Sequence, residues 1–342
     1  MFYFFYYFPL GLDLGSRRRV WATWALAAAC VGGFVLVRQA PLLLWKHYES
    51  LIFIPAAPRL SAMIFNAYLH GGWLHLAGNL ISLAVFGPPL EERLGARRFL
   101  LLYHLCNVLA NTVQGALILV FMRAHAGDGV LGASGAIAGL MGLFLLRLHF
   151  ARLRVAYWAF MPLQAYTRCG TAMVPVAFAI LMWLGIQLGM VLMQLQGASA
   201  GVACGSHVGG LLGGIGLGLL FRLRQKARAE QHLQRGRRYL DQAQWYAAQG
   251  ELIEYVRCQP EDEEGHLELA RTYRLTGRHP QADHHYRQSC HRMARAKRLD
   301  RVEATYCEAE RGSPTFALGA PQQLQLAQLL ERCLKHEAAE RA

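Results

Sequence analysis

The chain is short of charge, shorter still of acid, and has no paired cysteines. Charged residues are 17% of its 342, against about 25% in a soluble globular protein. Before residue 222 the only carboxylates are Asp13, Glu49, Glu91, Glu92 and Asp128, which excludes one soluble domain for the whole chain. The eight cysteines contain no C-x-x-C pair, so neither a disulfide framework nor a zinc site is indicated. A concentrated basic surface is also missing. The net +13 divides between residues 1–221, with 14 Lys/Arg and 5 Asp/Glu, and residues 222–342, with 21 and 17. That spread excludes a basic nucleic-acid binder. Met1–Phe8 is apolar and aromatic, but it ends in Pro9 and its arginines follow rather than precede it. It reads as an interfacial segment and not as a signal peptide.

What is present is a series of long apolar runs. A transmembrane helix needs about 20 mostly apolar residues, and six candidate spans follow: Val20–Val37, Leu74–Leu90, Leu100–Phe121, Ala133–Phe150, Thr171–Leu195 and the shorter His207–Phe221. If the N-terminus is cytoplasmic, fourteen Lys/Arg flank the spans on that side, Arg17–Arg19, Arg93, Arg97 and Arg98 among them. The other side holds Arg38, Lys46, Arg59 and Arg123. The bias predicts cytoplasmic termini. Three regions are expected: an interfacial segment 1–16, a six-helix transmembrane bundle 17–221 and a soluble helical region 222–342. The fold class is all-α.

Unsatisfied polar groups are costly in lipid, so polar residues in apolar runs need an explanation. His75 and Asn79 are an i, i+4 pair on one helical face. Ser134 opens the fourth run between Gly132 and Gly135, and His207 opens the sixth, followed by Gly210, Gly214 and Gly218. Singly, each has an ordinary reading as back-bonded hydroxyl, packing seam or interhelical bridge. Together they share a depth, and the small residues permit close approach of the fourth and sixth helices. Ser134 would then reach His207, the base that a serine nucleophile requires. His75 and Asn79 would be placed to donate to an oxyanion. No carboxylate lies inside the six runs, so the arrangement is a dyad.

At this point the chain resembles the rhomboid family of intramembrane serine proteases. The matching stretches are His70-Gly-Gly-Trp-Leu-His75-Leu-Ala-Gly-Asn79, Gly132-Ala-Ser134-Gly135 and Ser206-His207-Val-Gly-Gly210-Leu-Leu-Gly-Gly214, with Glu91–Phe99 similar to the family's cytoplasmic turn. The resemblance covers roughly residues 17–221. It implies Ser134 as nucleophile and His207 as general base and acid. The oxyanion hole would be His75, Asn79 and the Ser134 amide, with Gly132 shaping the turn and His70 holding the first loop. It departs from the family's common first-loop Trp-Arg pair, where Ser61 and Ala62 stand. Neither cofactor nor metal is implied; the partners would be transmembrane protein substrates and the bilayer, in a bacterial inner membrane.

Other features are expected to be structural. His104, Asn107, Asn111 and Gln114 line one face of the third run and should bond to the first loop or second span. Trp183 and Pro175 would mark a gate or an interfacial anchor, and Gln196–Gly205 a mobile cap. After Arg222 a 34-residue period, with Gly236, Tyr239 and Ala248 answered by Ala270, Tyr273 and Ala282, resembles tetratricopeptide repeats. This predicts a cytoplasmic partner-binding module over residues 229–330 and a final helix Gln322–His336. The competing functions are a catalytically silent rhomboid-like client-binding protein and a histidine-lined transporter. The absence of intramembrane carboxylates argues against the transporter.

Overall fold

The computed structural model describes residues 4–14, 20–39, 48–161, 166–197, 203–313 and 316–320, with isolated positions as far as 331. The chain divides into two compact units, Met1–Arg224 and Gln225–Ala342.

The first unit is a helical bundle and the chain is an integral membrane protein. Its helices are α1 (Ala22–Gln39), the short α2 (Leu60–Phe65), α3 (Trp73–Leu94), α4 (Ala96–Phe121), α5 (Ser134–Arg147), α6 (Val176–Leu195) and α7 (Cys204–Leu220). Among the described residues, α1, α3, α4 and α6 are long and apolar enough to cross a membrane; α5 and α7 are shorter. Two expected boundaries shift for physical reasons. α6 starts at Val176 rather than Thr171, because the chain up to Pro175 is held in a strand. α3 runs through Pro88 and Pro89 to Leu94, which places Glu91 inside a helix and not after it. Glu91 is 3% exposed. Its carboxylate accepts from the N–H groups of Trp21, Ala22 and Thr23 and from Thr23 Oγ1 at 2.7–2.9 Å. Those amides are the start of α1, where helical N–H groups lack intrahelical acceptors.

A sheet accompanies the bundle, and its strands were not foreseen. β1 (Phe4–Leu12), β2 (Arg152–Met161) and β3 (Tyr166–Pro175) pair antiparallel in that order. Phe4 faces Phe160 and Leu12 faces Leu153, with a bulge between Pro9 and Gly11, as a proline without N–H favours. Leu153 and Val155 point into the core while Arg152 and Arg154 are exposed. The segment read as a free interfacial N-terminus is thus an edge strand. The supposed cap at 196–205 falls partly, and the final helix after 322 largely, outside the described residues.

The second unit begins within α8 (Leu223–Asp241) and continues with α9 (Trp245–Cys258), α10 (Glu263–Leu275), α11 (His279–Arg295) and α12 (Leu299–Gly312). The alanines one period apart, Ala248 and Ala282, are fully buried. α10 and α11 are joined by a histidine pair, His266 Nδ1 to His285 Nδ1 at 2.8 Å. His266 Nε2 must donate to the Pro260 carbonyl at 3.1 Å, so its Nδ1 is the acceptor and His285 donates. Tyr273 stacks on His285. Burial, then His266, His284 and Arg292, holds His285 down at about 4. Burial chiefly lowers His266 too, with Arg292 and His284 adding, against the Pro260 bond and Asp262.

Because both native values lie below the unfolded one of about 6.5, the unfolded state binds more protons as pH falls through that range. Stability of this unit therefore drops between about pH 6.5 and 4 and is intact above it. Hydrogen exchange on the full chain in detergent should show α10 and α11 amides losing protection over that interval. His285→Gln should flatten the dependence; protection independent of pH in the wild type would contradict this account.

Candidate functional site

The site is built on the N-terminal end of α5. Gly132 precedes it with φ +117°, a left-handed conformation that disfavours any residue with a β-carbon. A β-carbon there would also lie 2.6 Å from Cε1 and Nε2 of His75. The Gly132 N–H donates to the Asn66 carbonyl at 2.9 Å. Ala133 is the N-cap and Ser134 the first helical residue, so its backbone N–H has no intrahelical acceptor and lies at the positive end of the helix dipole.

α7 supplies the facing residue. Gln114 Oε1 on α4 accepts from the Ser206 N–H at 2.8 Å and so caps the start of α7. Glycines on both helices bring the two backbones into contact. A β-carbon at Gly210 would strike the Gly135 carbonyl, one at Gly214 the Gly139 carbonyl, and one at Gly142 the Leu211 carbonyl. At the end of this seam Ser134 Oγ lies 2.8 Å from His207 Nε2. A serine hydroxyl whose proton can pass to an imidazole is the arrangement that nucleophilic acyl transfer needs.

On the other side of the imidazole, Nδ1 lies 2.8 Å from Gln187 Oε1, and Trp183 tilts over the ring at 5.6 Å between centroids. Both residues belong to α6, one helical turn apart. Beneath Ser134 an apolar cavity of about 360 Å³ opens between α3, α5 and α6, lined by Phe86, Ile137, Met141, Ile180 and Trp183 and bordered by Pro9 and Leu153 of the sheet.

α3 brings His75 and Asn79 to the same turn. His75 packs against Gly132. Asn79 is 7% exposed, and its Nδ2 is buried with no acceptor among the described residues, a donor left open beside the Ser134 turn. His70 is 6% exposed, its ring 5.2 Å from that of His75. It stands behind His75, directly after the first loop.

Three residues of the α4 stripe bond to the first loop, while the fourth, Gln114, caps α7 instead. Asn107 and Asn111 donate to Asn66 Oδ1 and to the Met63 carbonyl at 2.7–3.1 Å. Asn66 Nδ2 returns a bond to Asn111 at 3.0 Å, and His104 Nε2 meets Tyr68 OH at 3.1 Å. The loop whose Asn66 carbonyl holds Gly132 is thereby fixed to α4. No group of three or more His, Cys, Asp or Glu suited to a metal occurs among the described residues.

Residues 57–224 match the Rhomboid domain family, over the stretch that carries this constellation. The chain belongs to the rhomboid family. YdcA of Bacillus subtilis, assigned by name to the rhomboid proteases, is 36% identical over 88 residues, 26% of this chain and 41% of that protein. RHOMBOID-like protein 5 of Arabidopsis thaliana is 30% identical over 162 residues, 47% of this chain and 44% of the relative. Rhomboid-type serine protease 2 of Emericella nidulans is 29% identical over 165 residues, 48% and 27%. The matched stretch spans less than half the length of each relative. The family is one of intramembrane proteases.

In this rhomboid the site residue that sequence reading passed over is Gln187. Its one signal was being a polar residue inside an apolar run, one turn after Trp183. The Glu91 carboxylate, by contrast, is occupied in capping α1.

The α5–α7 seam sets the Ser134–His207 distance, so widening it should uncouple the two. Gly210→Val would drive a side chain into backbone, with a cost of about 1–3 kcal/mol for overpacking. The variant should melt at lower temperature in detergent than the wild type, whereas Gly216→Ala, at a position with open space around it, should melt nearly unchanged.

Proposed function

We propose that this rhomboid is an active intramembrane serine endopeptidase that hydrolyses peptide bonds of transmembrane substrates by a Ser134–His207 dyad. The observation that carries the reading is the 2.8 Å approach of Ser134 Oγ to His207 Nε2 inside a domain of protease kinship.

His207 Nε2 takes the hydroxyl proton as Ser134 Oγ attacks the scissile carbonyl carbon. The oxygen becomes an oxyanion beside the Ser134 backbone N–H, the buried Asn79 Nδ2 and the His75 ring, donors oriented before charge develops. His207 then protonates the departing amine, leaving Ser134 acylated. Water repeats the cycle, with His207 activating it and returning the proton to Ser134. Gly132 supports this by giving His75 room, while Gly135, Gly210 and Gly214 bring the dyad into register; His70 backs His75. Neither metal nor cofactor enters.

The arginine asymmetry supports cytoplasmic termini and six spans, in a bacterial inner membrane, with the site opening to the opposite face. Domain limits of 17–221 and 222–342 follow from the same reading. The helical second region, with alanines buried one 34-residue period apart, supports a tetratricopeptide-like module that binds a cytoplasmic protein through residues 229–330.

A fluorophosphonate probe on the detergent-solubilised chain tests the reading. The wild type should label covalently, and Ser134→Ala and His207→Ala should each lose labelling by roughly 10³-fold or more, as members of a unit do. Equal labelling of all three, or none of the wild type, would sink the protease assignment and favour a silent client-binding protein.

A further inference from the structure

We propose that Gln187 is a positioning residue that sets the tautomer of His207 and makes the working unit Ser134–His207–Gln187. The inference rests on the protease reading above. An amide oxygen can only accept, so the 2.8 Å contact between Gln187 Oε1 and His207 Nδ1 requires the proton on Nδ1. With Nδ1 protonated, Nε2 carries its lone pair toward Ser134 Oγ, 2.8 Å away. The opposite tautomer would present an N–H to the serine and have no lone pair to receive its proton. When His207 takes that proton, the Gln187 bond becomes charge-assisted and stronger, so it stabilises the imidazolium formed during attack. Gln187 is 7% exposed, and Trp183, one turn earlier on α6, limits tilting of the same ring. No carboxylate takes this position; a neutral amide spares the site an ion in lipid.

The test measures second-order fluorophosphonate labelling of the full chain in detergent between pH 5 and 9, for wild type, Ser134→Ala, Gln187→Met and Gln187→Glu. Methionine keeps the volume and removes the acceptor. It should lower labelling at least about 10-fold, less than the ~10⁴ of a wrong tautomer in triad enzymes, with the melting temperature retained. Glutamate restores an acceptor and should recover much of the rate. Its acidic limb should move up by about one pH unit or more, because a carboxylate beside Nδ1 favours the protonated ring. Nitrogen-15 histidine spectra of Ser134→Ala should report Nδ1–H at His207, and combination with Gln187→Met should mix the tautomers.

Ser134-dependent labelling that is unchanged in Gln187→Met would overturn the inference alone. So would equal impairment of both Gln187 variants with an unmoved limb, which marks a purely structural tie between helices. Labelling that does not depend on Ser134 would overturn the protease reading, and this inference with it.

Discussion

The contact between the backbones of α5 and α7 governs the rest of the site. Lipid offers little hydrophobic drive for one helix to seek another, so close association depends on dispersion and on small residues that let backbones touch. Here the carbonyls of Gly135 and Gly139 occupy the space that β-carbons of Gly210 and Gly214 would fill. A separation set by backbone atoms does not relax by a change of rotamer. Ser134 and His207 lie at the end of this seam and inherit its spacing. A shift of about 1 Å there would take a 2.8 Å hydrogen bond beyond hydrogen-bonding range.

A second requirement follows from the solvent. Polar side chains in the bundle must satisfy one another, and the pairings that do so also fix geometry. Asn107 and Asn111 bind the loop at Met63 and Asn66, and the Asn66 carbonyl binds Gly132. The turn before Ser134 is thus referred back to α4. Gln114 secures the start of α7 from that same helix. α6 touches the site through Trp183 and Gln187, and its adjoining face lines the apolar cavity below Ser134. Any displacement of α6 therefore changes the setting of the imidazole along with the shape of the cavity.

The parts of this arrangement that sequence could disclose are those with short-range spacing. His75 and Asn79 at i, i+4 had to share a face, and the Gly-x-x-x-Gly series after His207 had to make a thin helix surface. The α4 stripe at spacings of 3 and 4 announced a polar face. Gln187 was different: a lone polar residue in an apolar helix points anywhere until the neighbouring helix is placed. The strands were hidden for a related reason. Arg152-Leu153-Arg154-Val155 alternates, but over four residues, before an aromatic run that fits a helix or a strand. Its partner Phe4–Leu12 lies more than 130 residues away, where no local pattern records the pairing. Glu91 was left outside because the apolar run stops at Leu90, whereas the helix goes one turn further, to Leu94.

The helix that carries Ser134 is short for a membrane-spanning one. Its 14 residues span about 21 Å at 1.5 Å each, short of a hydrocarbon core of about 30 Å. A helix of that length with one end at a bilayer surface leaves its other end short of the opposite one. The chain ends the helix at Arg147 and turns directly into β2, whose Leu153 and Val155 complete the core beneath it. The unforeseen sheet is in this sense the counterpart of the short helix: its inward side chains continue the core past the point where α5 stops.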